Sequence, residues 1–250
     1  MAGHSKWAQI KRKKAVTDAR RGKLWTKLLK ELTVAARLGG ADPAGNPRLR
    51  VGIQEARAAN VPSENIERAV NRGAGLLDGV TYEELTYEGY GPGGVAILIE
   101  AMTDNKNRTV SELRHLLSKS GGNLGENGCV AWMFVKRGYF VLEKDALDED
   151  ELMELALAVG AEDAVVEDEV YELYSAPEDY AAVRDELEQR QIAVSSQALA
   201  MLPKSEVELD LETTARVLRL VDALEDQEDV QNVWSNLNVS EEAMAALEEA

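Results

Sequence analysis

The apolar residues of this 250-residue chain change their spacing once, around a glycine-bearing stretch from Gly73 to Gly79. Before it, the spacing is helical. From about Asp18 to Leu38, residues Leu24, Trp25, Leu28, Leu29, Leu32, Ala35 and Ala36 fall within one arc of about 140° on a helical wheel. Arg20, Lys23, Lys27, Lys30 and Arg37 occupy a separate arc of about 100°. Gly39-Gly40 ends this helix. Asn46-Pro47 reads as an N-cap followed by proline at the first helical position. The helix it opens runs to about Asn60, with Leu49, Ile53 and Ala56 inward and Arg50 and Arg57 outward, one heptad apart. Ser63 is expected to cap a third helix, Glu64 to about Arg72, stopped by Gly73. Gly73–Gly79 is expected to be a hinge.

After that stretch strands and helices mix. Thr81–Tyr90 and Val95–Met102 read as strands around the turn Gly91-Pro92-Gly93-Gly94. Thr109 and Glu112 form a capping-box pair for a helix ending at Gly121-Gly122. Cys129–Val135 and Tyr139–Leu142 read as strands around a turn at Lys136-Arg137-Gly138. A helix near Asp148–Val159, strands near Ala164–Glu169 and Tyr171–Tyr174, a helix from about Pro177 to Gln189 and a strand near Ala193–Met201 follow. A helix near Glu212–Leu224 and a strand near Val230–Asn236 complete the regular part. Tyr139–Met201 thus contains the β-α-β-β-α-β series of the ferredoxin-like pattern. The expected class is α+β: a helical N-terminal domain plus two ferredoxin-like α+β domains, one inserted in the other. The expected boundaries are 1–79, then 80–136 with 204–239, the insert 137–203, and an acidic tail 240–250.

Charge follows the same division. Residues 1–72 hold 16 Lys+Arg against 6 Asp+Glu, whereas the remaining residues hold 12 against 39, so a net charge of -17 conceals a basic first quarter. A polyanion is the usual partner of such a module, because each Lys or Arg that meets a phosphate releases condensed counterions. The acidic remainder repels a phosphate backbone and restricts its approach.

Other function classes find little support. No run of apolar residues is long enough for a membrane-spanning helix, and the polar, basic N-terminus has no signal-peptide core, so a cytoplasmic protein with no membrane partner is expected. His4 and His115 are too few for a metal centre, and neither has an obvious nucleophile beside it. Cys129 reads as a small core residue at the start of a strand. Gly91–Gly94 lacks the Lys-Ser/Thr ending of a phosphate-binding P-loop. No cofactor is expected, and no enzyme. The Asn107 and Asn238 sequons have no meaning without secretion.

The residues expected to contact nucleic acid are therefore Lys6, Trp7, Lys11, Arg12, Lys13 and Lys14 in the N-terminal arm, and Arg20, Lys23, Lys27, Lys30 and Arg37 on the first helix. Arg50 and Arg57 follow on the second, with Lys106 and Arg108 in a polar loop, Asp104–Arg108, between strand and helix. Trp7 suits stacking on a base or burial in a core equally well. Arg137–Val141 faintly echoes an RNA-recognition motif, but an ordinary strand explains it better.

Met1-Ala2-Gly3-His4-Ser5-Lys6-Trp7, Lys11-Arg12-Lys13, Arg21-Gly22-Lys23, Gly39-Gly40, Asp42-Pro43, Asn46-Pro47 and Asn60-Val61-Pro62 resemble the start of the YebC/PmpR family. Tyr87-Glu88-Gly89-Tyr90-Gly91-Pro92-Gly93-Gly94, Thr103-Asp104-Asn105 through Thr109, and Gly121-Gly122-Asn123-Leu124-Gly125 resemble its central blocks. Asp229-Val230-Gln231-Asn232-Val233 resembles its closing strand. Trp25 stands where the family has Phe, and Asn127-Gly128-Cys129 departs from its usual reading. The resemblance implies three domains and a cytoplasmic, non-enzymatic regulator of gene expression. Members are described as DNA-binding transcriptional regulators, and others as translation factors, among them mitochondrial translational activators and factors relieving ribosomes stalled at consecutive prolines. DNA or rRNA, with the ribosome behind it, is the implied partner, and the acidic domains are left to meet proteins. The assignment of particular cations to nucleic acid rests on charge, not on the resemblance.

Overall fold

The computed structural model describes residues 18–144, 147–167 and 170–248, and it divides into two compact units. The first holds the described residues up to Ala131 together with Leu209–Ser235; the second holds Trp132–Glu208 and the residues from Asn236 onward.

The first unit opens with three helices, α1 (Asp18–Gly39), α2 (Pro47–Ala58) and α3 (Ser63–Gly73). The apolar arc of α1 packs on the other two: Leu32, Ala35 and Ala36 meet Leu49, Ala56, Val61, Ile66 and Ala69 in one buried cluster. Trp25 lies at its margin, where its indole N–H donates to the Ala59 carbonyl at 2.9 Å. Asn46 caps α2 as expected, accepting from the Leu49 N–H, while its amide donates to the carbonyls of Ala35 and Gly40. Ser63 is not a cap. Pro62 occupies that position without a side-chain hydrogen bond, and Ser63 is already helical.

Next come β1 (Glu83–Tyr90), β2 (Ala96–Thr103), α4 (Lys106–Lys119) and β3 (Asn123–Leu124). After the second unit the chain returns with α7 (Leu211–Glu225) and β9 (Val230–Ser235). The sheet order is β3-β1-β2-β9, antiparallel throughout, with the β1–β2 hairpin at its centre. Leu113 and Leu117 of α4 and Val217, Leu220 and Leu224 of α7 are buried, as are Ile97 and Ile99 of β2. α4 begins three residues before Thr109 because the Asn105 side chain caps it, accepting from the Arg108 N–H. The expected loop Asp104–Arg108 is thus mostly cap and first helical turn, and Thr109 is buried inside the helix.

The second unit holds β4 (Phe134–Glu143), α5 (Glu149–Val159), β5 (Asp163–Val166), β6 (Val170–Ser175), α6 (Tyr180–Gln189) and β7 (Val194–Pro203). Its sheet order, β5-β6-β4-β7, with every neighbour antiparallel, is the ferredoxin-like arrangement of that series. Phe140, Leu142, Leu173, Leu152, Leu155, Val183 and Leu187 form its core under the two helices. α5 opens with a complete capping box, Asp148 with Glu151. β8 (Val207–Glu208) pairs in parallel with β10 (Leu237–Asn238), and α8 (Glu241–Glu248) follows.

No turn interrupts Lys136-Arg137-Gly138; β4 runs straight through it. Gly138 is there for space, since a Cβ would lie 2.1 Å from Ser175 Oγ on the neighbouring strand. Cys129 belongs to an irregular, half-buried segment ahead of β4 rather than to a strand. That segment is held by Glu88, which is buried and accepts from the N–H groups of Gly128, Val130 and Ala131 at 2.6–2.7 Å. Burial opposes the charge of Glu88, but the three donors outweigh it and hold the carboxyl below its usual range.

Candidate nucleic-acid interface

The basic arc of α1 forms as expected, but most of it is engaged within the first unit. Lys23, Lys27 and Lys30 lie at i, i+4 and i+7, and all three reach the C-terminal end of α7 and the residues after it. Lys23 pairs with Asp226 at 3.4 Å, and Lys27 donates to the Glu225 carbonyl at 2.8 Å. Lys30 donates to the Glu228 carbonyl and to Asp229 Oδ1, both at 2.9 Å. A helix C-terminus carries partial negative charge on its open carbonyls, so three lysines at this spacing are attracted to it. The expectation that Lys30 meets nucleic acid is corrected. Its exposure is 8%, and its ammonium is fully occupied inside the protein.

Asp229 is the centre of this contact. Besides Lys30, it accepts from Arg108 at 2.7 Å and from the hydroxyls of Thr103 and Thr109 at 3.1 and 2.8 Å. Burial pushes its carboxyl up, yet the hydrogen bonds from Arg108, Lys30 and Thr109 prevail and hold it at about 2. Arg108 also pairs with Asp104 at 2.8 Å, and Lys106 pairs with Glu83 at 2.6 Å. Both cations of the expected contact loop are therefore neutralised locally. They sit in the first turn of α4, where the helix dipole disfavours positive charge and a carboxylate partner compensates. Arg37, exposed, donates to the Tyr82 carbonyl at 2.5 Å. Arg48, absent from the sequence-based set, is clamped by Glu31 and Glu84.

A different set of cations is left open to solvent. Arg57 of α2 and Arg68 of α3 are exposed and Arg50 of α2 is half-buried; none of them holds an ion pair among the described residues. Arg68 was missed because its helix is short and carries Glu64 and Glu67 beside it. Lys6, Trp7, Lys11, Arg12, Lys13 and Lys14 lie outside the described residues, as does the side chain of Arg20. Among the described residues, no group of three or more His, Cys, Asp or Glu could hold a metal ion, and no helix is long and apolar enough to cross a membrane.

Residues 5–76 match the family described as the TACO1/YebC protein N-terminal domain, and residues 82–237 match the TACO1/YebC second and third domain. The chain belongs to the TACO1/YebC family. A relative from Chlorobaculum parvum is 54% identical over 250 residues, covering all of both chains, and one from Halothermothrix orenii is 55% identical over 252 residues, again covering both. Each bears the name probable transcriptional regulatory protein. The crystal structure of a conserved hypothetical protein from Aquifex aeolicus is similar in fold, with a TM-score of 0.80 and 47% identity over 90% of this chain and 93% of that one. The TACO1/YebC match to residues 82–237 includes Asp229 and its partners Thr103, Arg108 and Thr109, and that to residues 5–76 includes Lys30.

Proposed function

We propose that the chain is a non-enzymatic regulator of gene expression that binds nucleic acid, gripping phosphates through Arg50, Arg57 and Arg68. The observation that carries this reading is the contrast in pairing: these three arginines have no carboxylate partner among the described residues, although 45 Asp and Glu are present in the chain. Guanidinium groups in solvent make bidentate contacts with phosphate oxygens and release counterions as they do so. The names of the relatives support regulation as the outcome. The basic arm, Lys11 to Lys14, adds to the same electrostatic attraction.

Backbone contact positions a protein on nucleic acid without reading bases, so phosphate binding alone does not distinguish DNA from RNA. The reading is therefore tested on two targets at matched salt: promoter duplexes by gel shift, and ribosomal subunits by cosedimentation. The variant carrying Arg50→Gln, Arg57→Gln and Arg68→Gln should lose affinity for whichever target the full chain holds. Unchanged retention of both targets by this variant would defeat the proposal. Tight, sequence-selective duplex binding without ribosome association would make transcription the level of control, and the reverse would make it translation.

A further inference from the structure

We propose that the first unit carries a separate binding site for a nucleoside phosphate, in the cleft between α1 and the segment that follows α3. The cleft, open to solvent along one side, has a volume of about 410 Å³, within the range of small-ligand sites. Gly73 explains how it forms. A Cβ there would lie 2.2 Å from the Thr33 carbonyl oxygen, so α3 ends hard against α1 and the chain must swing away to form the opposite wall.

One part of the lining is cationic. Arg37 and Arg72 both border the cleft, and neither guanidinium pairs with a carboxylate among the described residues. The N–H groups of residues 77–82 have no acceptor among the described residues. Arg72, with Arg37 beside it already donating to the Tyr82 carbonyl, and backbone donors in a non-regular loop offer what a phosphoryl group needs. Another part is apolar: Leu77 and Val80 border the same cleft at 45% and 50% exposure, beside Tyr82. An inorganic anion would use only the first part, and a hydrocarbon only the second. A nucleoside phosphate uses both, with its base on the apolar wall and Asp78 available to accept from a sugar hydroxyl. The site shares no residue with Arg50, Arg57 and Arg68, so it stands or falls apart from the reading above.

The test is calorimetric titration of the full chain, at fixed ionic strength, with AMP, GMP, adenosine and inorganic phosphate, repeated on Arg72→Gln and Val80→Asp. Saturable binding of a monophosphate is expected, about tenfold tighter than adenosine or inorganic phosphate, and about tenfold weaker in Arg72→Gln. Val80→Asp should weaken the monophosphate by a larger factor than inorganic phosphate, because the new carboxylate repels both but only the monophosphate also loses its apolar contact. Unchanged thermal melting of Arg72→Gln excludes misfolding as the cause, since that side chain is exposed. A short single-stranded oligonucleotide separates the sources. If it binds with the same sensitivity to Arg72→Gln, the cleft takes a nucleotide of a strand; if only the monophosphate shows it, the ligand is free. Absence of saturable monophosphate binding up to about 5 mM, equal affinity in Arg72→Gln, or equal affinity for inorganic phosphate would each overturn the proposal.

Discussion

The lysines of α1 and three arginines of α2 and α3, Arg50, Arg57 and Arg68, lie in the same three-helix region and carry the same charge, yet they do opposite things. Lys23, Lys27 and Lys30 bond the C-terminal end of α7 and its following residues, whereas Arg50, Arg57 and Arg68 have no ion pair among the described residues. The difference teaches that a basic stripe on a helical wheel shows where charge is, and that its neighbours determine what the charge does. A cation opposite a carboxylate and open carbonyls glues two elements together; one facing solvent can recruit a polyanion.

The strongest way to break the comparison is at Lys30. Lys30→Met leaves Asp229 buried with one fewer cation, and the loss should be about 3 kcal/mol of unfolding free energy in urea titration, with little change in nucleic-acid affinity. An equal loss of affinity at full stability would move Lys30 back among the phosphate contacts. The counterpart is the triple glutamine variant at Arg50, Arg57 and Arg68. Its affinity should fall by about 2 kcal/mol, with the slope of log K against log salt shallower by about 2 to 3, while stability moves by less than about 0.5 kcal/mol. Only if both variants behave as stated are the two sets functionally distinct.

Acid sharpens the same contrast. The Asp229 carboxyl is held at about 2 in the folded protein against an ordinary value of 3.8. A depressed carboxyl stabilises the fold above its unfolded value, and that contribution disappears as pH falls from about 4 towards 2. The amount is about 2 kcal/mol. Thermal melts between pH 5 and 2 should show an acid loss that is smaller in Asp229→Asn, because the variant has already forfeited the part due to Asp229 while that of Glu88 remains. The smallest effect belongs to Lys23→Gln. Its pair with Asp226 is 43% and 64% exposed, and an exposed pair contributes less than about 0.5 kcal/mol, so melting should scarcely move. A larger shift would show that the three lysines act as one network.

Much of this architecture was legible from local pattern. The Asn46 cap, the helix near Asp148–Val159 and the order of strands and helices from Tyr139 to Met201 all depend on residues within a few positions of one another. Reading failed where a local signal had a distant cause. Gly138 resembles a turn residue, but it answers to Ser175 across the sheet. Thr109 resembles a cap, but Asn105 caps α4 and the Thr109 hydroxyl donates to Asp229, 120 positions away. The signal that could have exposed the Asp229 cluster was an acidic residue directly ahead of a strand, in a chain with Thr103 and Thr109 on either side of the Asn105 cap.

The amino-acid order alone determined the helical first quarter, the α+β remainder and the opposite signs of their charge, because periodicity, capping and composition are properties of short stretches of chain. Tertiary structure alone decided which cations remain open to solvent. Lys30 and Asp229 are 199 residues apart, and an ion pair depends on separation in space, which no local pattern records.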